Sequence, residues 1–352
     1  MSYTVTIEPL GASFQVEPGQ SLLDGALRNG IYLPHACCHG LCGTCKVQVL
    51  EGSVEHGDAS PFALMDLERD EGRCLSCCAT PLEDVVIEAD IDEEPDQRAI
   101  PLRDFSGRVA ALEDLTPTIK GVTIALDMPI DFQAGQYINL GWPGLAHPRA
   151  FSLAGPPDGG LLVELNIRHV PGGEATGHIH QRLRVGDPVT VSGPLGRFFV
   201  RKSDPKALLF IAGGSGLSSP RSMILDLLEG DGDTRTITLV YGARNRAELY
   251  YHADFVALAA RYSNFHYVPA LSAATPECAW EGRTGFVHEV AESHFGGDFR
   301  DHKAYLCGPP PMIESCIRTL MKGRLYERDI YTEKFLSAAD AQQARSPLFK
   351  HL

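Results

Sequence analysis

The crowding of cysteines constrains this chain more than any other feature. It has 352 residues and ten cysteines, and seven of the ten are Cys37, Cys38, Cys42, Cys45, Cys74, Cys77 and Cys78. The stretch MSYTVTIEPL has no basic region and no apolar run, so no secretory signal is expected. No apolar run approaches the ~18 residues of a bilayer span, so no membrane partner is expected either. The expected setting is cytoplasmic, where thiols stay reduced and clustered cysteines point to metal binding or catalysis rather than disulfides.

Cys37, Cys42 and Cys45 follow the spacing C-x4-C-x2-C, and a fourth cysteine some thirty residues on completes the plant-type [2Fe–2S] pattern. Small residues between the ligands (Gly40, Gly43, Thr44) let the backbone wrap a cluster and turn N–H groups toward its sulfides. Cys77 is the expected fourth ligand, with Cys78 the alternative. Cys38, Cys74 and Cys78 are otherwise expected to be small buried residues. A zinc ribbon using Cys42-x2-Cys45 and Cys74-x2-Cys77 is the rival metal site. Its gap between pairs is too long, and it leaves Cys37 without a role.

Around this loop the pattern is strand-rich. Residues 3–8 alternate in polarity, 13–16 pair back on them, 22–29 form a helix capped by Ser21 and Asp24, and 46–50 and 84–91 are strands. The acid-rich 90–96 looks like a solvated linker. From about residue 103 to 200, short strands recur between Gly and Pro turns, the pattern of an antiparallel barrel. After Pro205 the apolar strand 207–212 opens an alternation of strands and helices, as in a doubly wound parallel sheet. The expected architecture is multidomain: an α+β β-grasp ferredoxin domain (1–93), an antiparallel β-barrel (103–202) and an α/β doubly wound domain (203–336), the last two of which the resemblance carried by the following residues implies are the FAD and NAD domains.

Five groups of residues carry a resemblance. Arg149-Ala150-Phe151-Ser152-Leu153-Ala154 resembles the R-x-Y-S-x-A flavin motif of the ferredoxin–NADP reductase family. The resemblance implies Arg149 on the FAD pyrophosphate, Phe151 stacking where the family carries Tyr, and Ser152 as a catalytic hydroxyl near flavin N5. The segment from Ile167 and Arg168 to Gly173 and Thr176 resembles the family's pyrophosphate-binding stretch at a helix start. Gly213, Gly214 and Gly216, between a strand and a helix, resemble its nucleotide loop, with Ser219 where a G-x-G-x-x-G motif has its last glycine.

Arg244 follows the second strand of this fold, where the adenosine ribose is expected. Cys307-Gly308-Pro309 resembles the motif that sets a catalytic Cys307 beside nicotinamide and flavin. Glu333-Lys334-Phe335 resembles the family's terminal E-x-F near the flavin. No carboxylate follows the second strand. Arg244 and Arg246 suit a 2′-phosphate, but the G-x-R pattern occurs in NADH-using relatives, so NADH is the expected donor.

Over the whole chain, segments such as SPFALMDLERDE and FIAGGSGLSSPRSMILDLLE resemble the reductase component of multicomponent phenol hydroxylases. That resemblance implies electron transfer from NADH through FAD and [2Fe–2S] to the hydroxylase component of a diiron monooxygenase. Two alternatives stay open: the reductase of a ring-hydroxylating dioxygenase, and a stand-alone NADH:acceptor oxidoreductase. Acidic residues outnumber basic ones, 45 to 31, a net charge of −14. That argues against nucleic acid and for a partner that offers basic residues.

Overall fold

The computed structural model describes residues 2–35, 38, 40–91 and 94–335. Cys37, two residues of the acidic linker and everything from 336 on lie outside the described residues. The chain divides into two compact units, Met1–Arg103 and Asp104–Leu352.

In the first unit, five strands form a mixed sheet in the order Ala12–Val16, Tyr3–Glu8, Val85–Glu88, Lys46–Glu51, Arg73–Leu75. Tyr3–Glu8 pairs antiparallel with Ala12–Val16 and parallel with Val85–Glu88, the β-grasp arrangement. Alternation puts Val5 and Ile7 inside, with Phe14, Val47 and Ile87 around them. The helix Leu22–Arg28 seats Leu22, Leu23 and Ala26 on this core. Ser21 Oγ accepts from the Asp24 N–H at 3.2 Å, as expected of the cap. The Asp24 carboxylate itself accepts from Gln20 and Arg28. Gly25 faces Val16, with only 2.6 Å from its Cβ position to a methyl of that side chain, so the helix lies close on the sheet.

The second unit holds two sheets. Six antiparallel strands run in the order Arg149–Ser152, Tyr137–Gly141, Pro188–Leu195, Arg103–Asp114, Ile119–Leu126, Leu162–Arg168. A single bridge, Leu153 to Leu165, brings the two outer strands together and curls the sheet toward a barrel around Ile124, Ile138, Leu140 and Leu165.

The other sheet is wholly parallel: Arg283–Thr284, Phe265–Leu271, Ile237–Ala243, Ala207–Gly213, His302–Gly308, Ile330–Lys334. Chain order therefore reverses between Ala207–Gly213 and His302–Gly308. In such folds the crevice at the carboxyl ends of those two strands is where ligands bind. The glycine turn leaves the first of these strands and Gly308 ends the second.

The helix after the glycine turn is Ser218–Leu225, preceded by a 3-10 turn Gly214–Leu217 and followed by a π-helical turn Asp226–Asp231. Pro220 lies in its first turn, where its missing N–H costs nothing. The next helix is His252–Arg261, preceded by a separate 3-10 turn, Arg246–Glu248, under the Asn245 cap. The sixth strand, Ile330–Lys334, was not anticipated. Among the described residues no helix is long and apolar enough to cross a membrane.

Candidate functional site

In the first unit, Cys45 opens the way into Lys46–Glu51 and Cys77 follows Arg73–Leu75, the strand paired with it. Their thiols meet at 3.2 Å. Contact with Cys77 and then burial push the Cys45 thiol well above its ordinary range, so metal binding there would release a proton. Cys78 Sγ stands 3.6 Å from Cys77 Sγ. Among the described residues no three metal-ligating side chains form a single-ion set. A two-iron cluster shares four thiolates between two irons, so close pairs suit it.

The loop is built around glycine: Gly40 and Gly43 have φ of 69° and 75°. A Cβ at Gly40 would fall 2.8 Å from Cys78 Sγ and 2.9 Å from the Asp58 carbonyl. Buried Ser76, next to Cys77, has a hydroxyl with no partner among the described residues, a donor that cluster sulfur would satisfy. These features fit a [2Fe–2S] group. Cys37 lies outside the described residues.

Of the three cysteines expected to be merely buried, only Cys74 is. Its thiol is pushed up to about 12 by burial. Cys38 is exposed, in a left-handed turn at φ 56°, and Cys78 is half-buried; a loop wrapped round a cluster has too little chain to bury every side chain.

In the second unit, Ser152 ends the strand Arg149–Ser152 and is buried. Its hydroxyl donates to Glu333 Oε2 at 3.2 Å. The same oxygen accepts from Ser219 Oγ at 2.5 Å and from Cys307 Sγ at 3.5 Å. Burial raises the Glu333 carboxyl above the usual range, with the Ser219, Cys307 and Ser152 donors pulling against it. Burial and the Glu333 charge push the Cys307 thiol up as well, so it stays protonated. One carboxylate thus gathers a barrel hydroxyl, a helix hydroxyl and a strand thiol at the sheet's reversal point.

The predicted phosphate-binding residues fall on the barrel and on the glycine turn of the second unit. Arg149 is half-buried and donates to the His147 and Pro148 carbonyls, and Phe151 leans on the barrel core. Ile167 is buried in that core and Arg168 ends its strand. Gly173 is the N-cap of helix Glu174–Gln181, and Thr176 Oγ1 accepts from Val170 N–H at 3.1 Å, fixing the turn. Gly214, at φ 56°, lies under the Arg168 guanidinium, so barrel and glycine turn touch.

Gly216 packs on the end of the Cys307 strand, with 2.7 Å between its Cβ position and Gly308 Cα. A Cβ at Gly213 would fall 2.5 Å from Met312 Sδ, and Pro309 caps the helix Pro310–Lys322. Phe335 donates its N–H to the Gly308 carbonyl at 3.1 Å. Arg244 is exposed and directly follows the strand Ile237–Ala243. Buried Asn166 has one amide donor with no protein partner among the described residues, beside Tyr251, which donates to its Oδ1. The donors and the glycine cradle fit a flavin and a dinucleotide.

The family models match in the same order: a 2Fe-2S iron-sulfur cluster binding domain over residues 5–82, an oxidoreductase FAD-binding domain over 107–200 and an oxidoreductase NAD-binding domain over 210–318. The reductase component DmpP of phenol 2-monooxygenase from Pseudomonas sp. (strain CF600) is 61% identical, with all of both chains aligned. The chain belongs to the family of phenol hydroxylase reductase components. The phenol hydroxylase P5 protein of Acinetobacter pittii (strain PHEA-2) is 58% identical, again over the full length of both. The crystal structure of the Amycolatopsis cytochrome P450 reductase GcoB superposes with a TM-score of 0.83 at 35% identity, covering 95% of this chain and 98% of that one.

As a member of that family, this reductase carries [2Fe–2S], FAD and NAD sites on one chain. Sequence reading of the reductase left Ser219 as a mere glycine replacement and gave Glu333 no role beyond proximity to the flavin. Arg221 was missed altogether. It donates to the Ala154 carbonyl at 2.6 Å and to Glu164 Oε2 at 2.9 Å, lies over the Tyr251 ring, and so ties the nucleotide helix to the barrel. Beside it, Ser222 donates to the Gly155 carbonyl at 2.6 Å. The only sequence signal for this seam is an arginine and a serine on the first turns of a helix that must face another sheet.

Proposed function

We propose that this reductase takes electrons from NADH and delivers them, singly, to the hydroxylase component of a phenol or related aromatic diiron monooxygenase in the cytoplasm. The observation that carries the reading is the Glu333 carboxylate holding Ser152, Ser219 and Cys307 at the reversal point of the parallel sheet. When bound, FAD converts a hydride into two single electrons and the [2Fe–2S] cluster carries them onward.

The chain's residues do the positioning. Ser152 presents a hydroxyl at the flavin edge, and Cys307 offers a neutral thiol on the nicotinamide side. Glu333 orders both through hydrogen bonds and holds a proton nearby. Arg149, Phe151, Ile167, Arg168, Gly173 and Thr176 bind FAD. Gly213, Gly214, Gly216, Arg244, Gly308 and Pro309 bind the dinucleotide, and Phe335 covers the flavin side. Cys37, Cys42, Cys45 and Cys77 hold the cluster. The working divisions are residues 1–93, 103–202 and 203–336. Full-length identity to a phenol 2-monooxygenase reductase component favours that class of partner over a dioxygenase.

The test pairs dye reduction with coupling. Cys42→Ser should spare NADH-driven dye reduction and abolish NADH-driven turnover by the oxygenase. Undiminished coupling would remove the relay. Reconstitution against a ring-hydroxylating dioxygenase in place of the phenol hydroxylase decides the class of partner.

A further inference from the structure

The first unit carries an uncommon concentration of apolar exposure beside its cysteine loop. Phe62 is 98% exposed, Leu41 and Leu67 each 67%, and Met65 57%. They lie on two segments held together. Ser60 N–H donates to the Gly40 carbonyl at 3.0 Å, and the Cβ positions of Gly40 and Gly43 abut Ala59 and the Ala63 carbonyl. Arg69 reaches back to the Ala59 carbonyl at 2.8 Å, so the short helix Asp66–Asp70 fixes the segment that bears Phe62. A fully exposed phenylalanine on a hydrogen-bonded loop is a presented side chain, and clustered apolar exposure marks interaction sites.

Charge identifies what fits there. Residues 1–93 hold 16 acidic and 4 basic side chains, against 29 and 27 in the rest of the chain. All four bases are engaged: Arg28 pairs with Asp24, Lys46 and Arg73 with Glu68, and Arg69 with a carbonyl. Asp58, Asp66 and Asp70, around the apolar residues, are exposed. Residues 1–93 thus carry nearly all of the net negative charge, and three of their exposed carboxylates lie on the segment that bears the apolar patch.

We infer that Leu41, Phe62, Met65 and Leu67 form the docking patch for the oxygenase, which presents an apolar socket rimmed by Lys and Arg. This rests on the functional reading above and names the surface through which it works. Apolar anchors at the centre of an interface dominate its affinity, while the charged rim sets approach and salt dependence.

The test uses the full-length holoprotein and the purified oxygenase component of phenol 2-monooxygenase from Pseudomonas sp. (strain CF600). Binding is measured by calorimetry at low and high salt. Reduction of the reductase's own cluster by NADH is followed separately by stopped-flow absorbance, without oxygenase. Phe62→Ser and Leu67→Ser should each weaken binding about tenfold. Phe286→Ser, at a phenylalanine of the second unit that is 60% exposed, should not. Wild-type binding should weaken as salt rises, and cluster reduction should be unchanged in all variants.

Binding of Phe62→Ser and Leu67→Ser within twofold of wild type would overturn the inference. So would slowed cluster reduction, which would assign the patch to the chain's own flavin module. Wild type that binds the oxygenase but passes it no electrons would remove the functional reading and leave the patch standing. Wild type that does not bind at all would remove both.

Discussion

The Ser152 hydroxyl and the Glu333 carboxylate, 181 positions apart in the chain, meet at 3.2 Å. One sits at the end of a barrel strand and the other on the outermost strand of the parallel sheet. Their contact makes one site out of two folds.

Glu333 is the group on which that site turns, and Glu333→Gln separates its two effects. Burial raises the carboxyl, so the folded state keeps its proton to higher pH than the unfolded chain does. Below both values there is no difference. As pH rises between them, folding stability is lost because the folded state binds more protons. Gln keeps an acceptor and cannot ionise. The variant should therefore gain in melting temperature over wild type as pH rises from the acid end of the stable range. Its NADH-driven flavin reduction should fall about 100-fold, the scale of a lost acid–base group. Thermal denaturation across pH and stopped-flow absorbance of the bound flavin check the two halves.

Cys77 and Cys78 are neighbours whose thiols are 3.6 Å apart, and Cys77 Sγ meets Cys45 Sγ at 3.2 Å. Cys77→Ser should lose most of the cluster's visible absorption and its reduced-state electron paramagnetic resonance signal. Cys78→Ser should keep both. The reverse result would move the fourth ligand by one position.

Gly216 tests the nucleotide turn. A Cβ there would lie 2.7 Å from Gly308 Cα and closer still to the Cys307 carbonyl, both backbone, so neither can swing away. Gly216→Ala should destabilise by about 1–3 kcal/mol, the range for overpacking. It should also raise the KM for NADH more than it alters FAD content. Calorimetric unfolding and steady-state kinetics with a dye acceptor measure both.

Much of this was legible in the sequence because it is periodic or punctuated. The C-x4-C-x2-C spacing, the strand alternation of Tyr3–Glu8 and the glycine turn after Ala207–Gly213 each carry a local signal. What escaped is set by distant packing. The strand Ile330–Lys334 is short, and its place in the sheet comes from pairing with His302–Gly308 rather than from its own pattern. Ser219 looks like a defective glycine motif until Glu333 is seen to need its hydroxyl. Arg221 looks like one more surface charge on a helix until the barrel carbonyl of Ala154 lies against it. The exposure of Cys38 and Phe62 contradicts residue-type preference, since both kinds are usually buried.

The last prediction concerns a buried charge at the other end of the parallel sheet. Lys303, almost fully buried, lies 3.1 Å from Asp204 and 3.2 Å from Asp329, while Lys206 pairs with Asp329 at 2.8 Å. Burial pushes the Asp329 carboxyl up, but the Lys206 and Lys303 ammonium groups outweigh it and hold the carboxyl below its ordinary value. Its contribution to stability is therefore present above the unfolded value and is lost as pH falls through the folded one. Asp329→Asn leaves the Lys206 ammonium without its carboxylate and Lys303 with Asp204 alone, and removing one partner from a buried pair costs about 3–5 kcal/mol. Asp329 is itself partly within reach of solvent through Lys206, so the lower end of that range is expected. The loss should be measurable near neutral pH and should shrink as pH falls below about 4, where wild type begins to lose the same interaction. Denaturant unfolding at three pH values checks this. A pH-independent difference would show that the carboxylate's charge is not what holds this corner of the sheet together.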